Sequence, residues 1–274
     1  MKKYFPLFWV FYLLCAFSAH AGEGRYTIPL TGGGWSLWLD KEARCQNDRL
    51  YLPHEITDLS LLPVNVPTGG WQTLSHNPDA VPDEVPGTVE EYLTVTDNPR
   101  PENFRGVSWW YRKITIPADQ QKKRFIIYFE SVRMRAEVYL DGKLVAYDLI
   151  GETPFHVDIT DEAKPGKEQL LAIRVTNPGG NFHWQDFDIM KWGEYNIPPS
   201  RSFTGIIGRV KLESVNPVFI SDIYMQNTPE LTKVNAILSF TNETSSSVKQ
   251  DVELIVNEKG NPDKVVFRQT LKAI

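Results

Sequence analysis

At 274 residues the chain has room for one or two domains. Its 42% hydrophobic and 23% charged composition is that of ordinary soluble globular protein, which excludes collagen-like, disordered and multi-span membrane classes. With 29 Lys plus Arg against 34 Asp plus Glu, the net charge is −5 and the longest basic run is Lys122-Lys123-Arg124, which argues against a nucleic-acid surface. Aromatic residues make up 12% of the chain, with eight Trp, so enzymes, sugar-binding modules and interaction modules all stay open.

The first element is a targeting segment. Lys2-Lys3 precedes an apolar stretch over residues 5–17 that ends at Ala19-His20-Ala21, the pattern of a signal peptide covering residues 1–21. That stretch is too short to span a bilayer and nothing later is as apolar, so the expectation is an exported protein, periplasmic or extracellular, with no membrane span. Cys15 invites a lipobox reading, but bulky Leu14 stands where a small residue is needed. Cys45 is the sole other cysteine, so the mature chain has no intramolecular disulfide, and Cys45 reads as a small buried hydrophobe.

Beyond residue 21 the apolar pattern repeats with period two, and no stretch of 11 or more residues keeps a clean 3.6 period, so the chain reads as all-β. Strands are expected over residues 34–39, 109–116, 124–129, 136–140, 144–148, 169–176 and 208–212. Asp141-Gly142 between two of them is a two-residue hairpin turn, since both positions must tolerate positive φ. Strands at this spacing suggest a two-sheet sandwich or jelly roll. Residues 45–105 are proline-rich with only short apolar runs and read as an ordered excursion over the surface. Residues 177–203 read as a structureless insertion, longer than compact domains allow unless it has a function. Asn216-Pro217 reads as a boundary. Four more strands over residues 219–225, 234–240, 248–256 and 264–271 suit the start of an immunoglobulin-like sandwich, which needs about seven strands, so the chain is expected to be a fragment or a truncated reading frame.

Five segments in order carry a family resemblance. Val107-Ser108-Trp109-Trp110-Tyr111-Arg112-Lys113 is followed by Val138-Tyr139-Leu140-Asp141-Gly142-Lys143 and by Thr153-Pro154-Phe155-His156-Val157-Asp158-Ile159-Thr160. Leu171-Ala172-Ile173-Arg174-Val175-Thr176-Asn177 and Gly205-Ile206-Ile207-Gly208-Arg209-Val210 complete the set. Together they resemble the N-terminal sugar-binding domain of glycoside hydrolase family 2, which includes β-galactosidases, β-glucuronidases and β-mannosidases. The resemblance implies a galactose-binding-like jelly-roll β-sandwich over residues 22–216, followed by a partial immunoglobulin-like β-sandwich over residues 217–274. Most of the aromatic content has a core explanation, with Trp109, Tyr111 and Ile114 assigned to one face of a strand and Trp110 and Arg112 to the other. Asp158 and Asp161 read as strand-end residues that bond nearby backbone, not as catalysts.

A retaining glycosidase needs two carboxyl groups about 5 to 5.5 Å apart. The resemblance places both, as Glu, on a later (β/α)8 barrel that this sequence does not contain, so no catalytic residue is expected here and the chain alone is expected to hydrolyse nothing. Asn242-Glu243 and Asn257-Glu258 echo the family's acid/base dipeptide but fall at strand ends of the second sandwich. The five histidines are scattered, and Gly32-Gly33-Gly34 is followed by no helix pattern, so neither metal, phosphate nor cofactor binding is expected. The remaining candidate is the 177–203 loop, with Lys191, Glu194 and Tyr195 beside the substrate-binding candidates His183, Trp184, Asp186, Asp188, Trp192 and Arg201. Aromatic faces against sugar C–H surfaces and charged groups against hydroxyls are what carbohydrate recognition uses. Some family members hold the terminal sugar with an Asp six residues before the Gly of the Gly-Ile segment. That position is Pro199 here, leaving Arg201, Asp186 or Asp188 as substitutes. Three readings stay open: the non-catalytic N-terminal portion of an exported glycosidase, whose partners are the non-reducing end of a glycan and the barrel; a free-standing carbohydrate-binding module; and a purely structural segment whose loop packs on the next domain.

Overall fold

The computed structural model describes residues 24–43, 58–62, 64–95, 106–148, 151, 153–177, 191–192, 195–196, 203–230 and 233–272. In chain order these form β1 (Arg25–Pro29), β2 (Gly32–Asp40), α1 (Gln72–His76), β3 (Val81–Val85), α2 (Val89–Val95), β4 (Gly106–Thr115), β5 (Arg124–Phe129), β6 (Arg135–Leu140), β7 (Lys143–Asp148), β8 (Phe155–Asp158) and β9 (Glu168–Asn177). There follow β10 (Lys191–Trp192), β11 (Tyr195–Asn196), β12 (Val210–Val215), β13 (Val218–Asn227), β14 (Val234–Asn242), β15 (Val252–Glu258) and β16 (Asn261–Leu271). The all-β class is as expected, with the two helices too short to leave a helical period in the sequence.

Two antiparallel sheets make the first sandwich, one ordered β1-β12-β5-β8 and the other β3-β2-β4-β9-β6-β7. Alternation creates the core between them. Phe125, Ile127 and Phe129 point inward from β5, and Leu212 from β12, to meet Trp35, Leu37, Trp110, Val138 and Ile173 from the larger sheet. Ile114 shares this face with Trp110, correcting its assignment to the face of Trp109, because period two keeps residues 110, 112 and 114 together.

The larger sheet is buried on its other face as well. Trp109, Tyr111, Tyr139, Leu144 and Ala172 form a second cluster, covered by Leu62, Trp71 and Leu74 of the proline-rich excursion. Trp71 stands edge-on to Trp109 with ring centroids 5.6 Å apart. The excursion is thus the lid of a second core layer, and two of its amides reach inward, Asn65 N donating to Tyr139 Oη at 3.1 Å and Thr68 N to Asp40 Oδ2 at 3.0 Å. Residues 45–57 and 96–105 of that stretch lie outside the described residues.

The β6–β7 turn is the expected one, with φ 49° at Asp141 and 81° at Gly142. Asp141 Oδ1 accepts from the Leu170 amide at 2.9 Å, and Oδ2 accepts from Lys164 Nζ and Gln169 Nε2, each at 2.9 Å. Replacing Asp141 removes three acceptor contacts and a residue that tolerates positive φ. Asp141→Ala is expected to lower stability by about 1–3 kcal/mol in urea unfolding, whereas a loss within error would show that the turn forms without its side chain.

After Val215 the chain forms two antiparallel hairpins, β13–β14 and β15–β16, in the region expected to be immunoglobulin-like. Asn242 and Glu258 close β14 and β15, the strand-end positions expected for the two Asn-Glu pairs. Asp158 Oδ1 accepts from the Thr160 amide at 2.9 Å and its carboxylate meets Arg124, so its role is the local one read from sequence.

Candidate functional site at the loop-bearing rim

Strand register brings four strand ends together at one end of the sandwich. Asp40 of β2 stands opposite Val107, Gly106 of β4 opposite Asn177 of β9, and Arg135 of β6 opposite Thr176, so these four strands finish at one rim. The chain leaves that rim at Asn177, which is fully buried, and comes back at Phe203. Its return leg is fixed by backbone pairing. Val89 N donates to Thr204 O at 2.8 Å, Gly87 N donates to Ile206 O at 2.9 Å, and Arg133 and Gly205 exchange two bonds of 2.8 Å. The Glu90 carboxylate accepts from the Thr204 amide at 2.8 Å, and the Arg133 guanidinium lies over the Phe203 ring.

Beneath the rim lies an ionic network that the sequence reading missed. Glu137 of β6, 2% exposed, is shared by the Arg135 and Arg174 guanidiniums, the latter at 3.0 Å. Tyr139 Oη donates to Glu137 Oε2 at 2.7 Å, and Asn65 Nδ2 reaches both carboxylate oxygens at 3.0 Å. Burial alone would raise the Glu137 pKa, but the two guanidiniums and the bonds from Arg135 and Tyr139 outweigh it, so the carboxyl sits below the usual range. Burial and the neighbouring carboxylate push the Tyr139 phenol upward, keeping it a neutral donor. The signal was present in sequence: Arg135, Glu137 and Tyr139 alternate onto one strand face, where they meet Arg174 and Thr176 of the neighbouring strand. Through Asn65 the same carboxylate also pins the excursion, so one buried charge holds strand, neighbour and lid in register.

Of the substrate-binding candidates, His183, Trp184, Asp186, Asp188 and Arg201 lie outside the described residues, as do Glu194 and Pro199. Trp192 belongs to β10, whose backbone pairs antiparallel with β11 as Trp192 to Tyr195 and Lys191 to Asn196. The segment expected to be structureless therefore holds a short ladder, made by residues too few to show alternation. Trp109, Trp110 and Tyr111 are 0%, 0% and 8% exposed, so they are core residues. Among the described residues no group of three or more His, Cys, Asp or Glu is placed to hold a metal ion, and no helix is long and apolar enough to cross a membrane.

Comparison with known proteins agrees with this architecture. The β-glucuronidase of Formosa agariphila is 27% identical over 164 residues, 58% of this chain and 16% of that protein. The β-galactosidase of Thermoanaerobacter pseudethanolicus is 32% identical over 124 residues, 45% of this chain and 16% of that protein. The fold matches the apo structure of β-glucuronidase from Ruminococcus gnavus with a TM-score of 0.61 at 17% identity, covering 92% of this chain and 39% of that one. It also matches a β-glucuronidase from an uncultured Clostridium with a TM-score of 0.60 at 20% identity, covering 100% of this chain and 42% of that one. The chain thus spans a minor part of the length of these relatives. The family described as glycosyl hydrolases family 2, sugar binding domain, matches residues 32–197, which take in the whole larger sheet, β5 and β8 of the smaller one and the excursion, and the chain belongs to that family.

Proposed function

We propose that this chain is the N-terminal, non-catalytic portion of an exported glycoside hydrolase that cleaves O-glycosyl bonds at the non-reducing ends of glycans. Residues 1–21 are its signal peptide, residues 22–216 its sugar-binding-like jelly roll, and residues 217–274 the start of an immunoglobulin-like sandwich. The catalytic carboxylates belong to a (β/α)8 barrel outside this sequence, and the 177–203 loop, with His183, Trp184, Asp186, Asp188, Trp192 and Arg201, contributes substrate contacts at the mouth of that barrel. The observation that carries this reading is the family match over residues 32–197. Its physical support is the rim, where the loop departs from the buried end of β9 at Asn177 and returns on a leg paired to Gly87, Val89 and Arg133, the kind of rigid base on which binding loops are carried.

The test is hydrolysis of nitrophenyl glycosides, with β-glucuronide and β-galactoside as the first probes. The product of the complete source gene is expected to turn one of them over, and this chain alone is expected to release no nitrophenol. Turnover by the chain itself would overturn the non-catalytic assignment. Inertness of the complete product toward every nitrophenyl glycoside would favour a carbohydrate-binding module without hydrolytic activity.

A further inference from the structure

Three short motifs of the sequence have no part in the rim: the basic run Lys122-Lys123-Arg124, the boundary dipeptide Asn216-Pro217 and the pair Asn242-Glu243. The fold brings all three to one place. Strand β12, the last of the first sandwich, ends at Val215 between two arginines, Arg25 of β1 on one side and Arg124 of β5 on the other. Asn216 and Pro217 follow, and β13 begins at Val218. The linker between sandwich and hairpins is therefore only these two residues, with a cation on each side of its entrance.

Both cations reach across it. Arg25 donates through Nη1 to Glu213 Oε2 at 3.0 Å, within its own sheet, and through Nη2 to Ile220 O of β13 at 2.7 Å. Arg124 meets Asp158 of β8 and also the Glu243 carboxylate just beyond β14, the latter at 3.6 Å. Lys123 bonds the Asn216 side chain, and the Glu243 amide donates to Pro217 O at 3.0 Å. Each strand of the first hairpin is thus held at its sandwich end, β13 by Arg25 and β14 by Arg124, with the linker pinned between them. Pro217 adds stiffness, because its ring fixes φ and disfavours the helical region for Asn216.

Packing does not supply this restraint. Val218, Phe219 and Ile220 of β13 are partly covered, but every residue from Ser221 to Asn227 is exposed. An open cleft of about 600 Å³ separates the hairpin from the outer face of the smaller sheet, with Tyr128, His156 and Lys211 on one wall and Phe219, Asp222 and Ile223 on the other. With space on that flank and so little buried contact, the angle of the hairpin rests on the polar contacts at its base.

We infer that Arg25, Arg124 and Glu243 form a clamp that fixes the angle between the first sandwich and the β13–β14 hairpin. The clamp is a conformational device of the chain itself and does not depend on the hydrolase reading. Exposed ion pairs are weak singly, so its hold comes from gripping both strands at once. It is also sensitive to salt, because 1 M salt shrinks the Debye length to about 3 Å.

The experiment is electron–electron double resonance between spin labels at Lys167→Cys in the sandwich and Asn235→Cys in β14, in the full chain carrying Cys15→Ser and Cys45→Ser. At low salt this labelled parent is expected to give one narrow distance distribution, and in 1 M NaCl a distribution about twice as wide or wider. Arg25→Ala with Arg124→Ala is expected to reach that width at low salt and to respond no further to NaCl. Glu243→Gln leaves every sandwich residue in place and is expected to widen the distribution by itself, so it decides the matter if the double variant fails to fold. All eight Trp precede residue 193, so the melt followed by Trp fluorescence reports the sandwich, and Glu243→Gln is expected to leave it unchanged. A low-salt parent distribution as wide as that of the double variant, or a width that neither variant changes, would overturn the inference. Widening by salt that the variants do not reproduce would assign the hold to other charges and overturn it as well.

Discussion

Glu137→Gln is expected to destabilise the chain by about 3–5 kcal/mol, the usual cost of removing one partner from a buried ion pair, and to lower its melting temperature by roughly 10 °C. Gln has the volume of Glu and still accepts from Tyr139, so packing is kept and only the charge is lost. What changes is that Arg135 and Arg174, both 2% exposed, lose the carboxylate they share. The triple replacement Glu137→Leu with Arg135→Met and Arg174→Met separates charge from packing, because it removes all three charges at once. It is expected to recover most of the loss, as apolar substitution of buried ionic triads does elsewhere. A Gln variant within 1 kcal/mol of the parent would mean that the guanidiniums find other partners and that the carboxylate is not what holds the rim.

The same carboxyl sets an acid limb. Its folded pKa lies below the ordinary 4.5, so its contribution is complete above that value and is lost as pH falls through the lowered folded pKa. Below pH 4.5 the parent is therefore expected to lose stability more steeply than Glu137→Gln, which has no proton to take up at this site. Parallel acid limbs for the two proteins, followed by chemical denaturation at several pH values, would refute the assignment.

How far the sequence discloses this fold depends on where each strand lies in its sheet. Residues 124–129 were readable to both boundaries because Phe125, Ile127 and Phe129 are buried while Arg124, Ile126 and Tyr128 are only partly so, the clean alternation of a strand with one covered face. The sandwich strands that the pattern did not disclose, β1, β3 and β8, are all edges of their sheets. β1 and β3 each carry a proline, tolerated at an edge because one side of the backbone has no neighbour to bond, and that same proline erases the strand signature. The aromatic run of β4 was readable as core on both faces, but not what covers the outer one. Trp71 and Leu74 come from a segment without periodicity, and only the tertiary fold reveals them as a lid. The rim network was hidden for a related reason. A charged residue in a strand is normally read as facing solvent, and Glu137 is buried only because Arg135, Arg174, Tyr139 and Asn65 converge on it from three separate segments.

Gly205→Ala is expected to cost about 3 kcal/mol and to loosen the loop before it unfolds the sandwich. A Cβ at this position would stand 2.3 Å from Gly87 O, 3.0 Å from Thr88 Cα and 3.1 Å from the Trp110 ring, with φ at +153°. Two of those three atoms are backbone, which has no rotamer to move away, so the return leg itself must lift. It lifts against the paired bonds to Arg133 and the bonds joining Gly87 and Val89 to Ile206 and Thr204, the contacts that anchor the 178–202 segment at its C-terminal end. Proteolysis within that segment is therefore expected to speed up in Gly205→Ala under conditions where the sandwich core stays protected. Gly33→Ala is the matched control, because a Cβ there meets nothing within 4 Å and its φ is not positive, so it is expected to fall within about 0.5 kcal/mol of the parent. The second glycine of the same run makes the steric argument independently, since a Cβ on Gly208 would meet Ser131 N at 2.5 Å. Glycines at both 205 and 208 are thus required by two backbone approaches along the return leg, at Gly87–Thr88 and at Ser131. A Gly205→Ala protein as stable as the parent, with its loop cleaved no faster, would show that the Gly87–Thr88 segment can recede and that the rim does not depend on this contact.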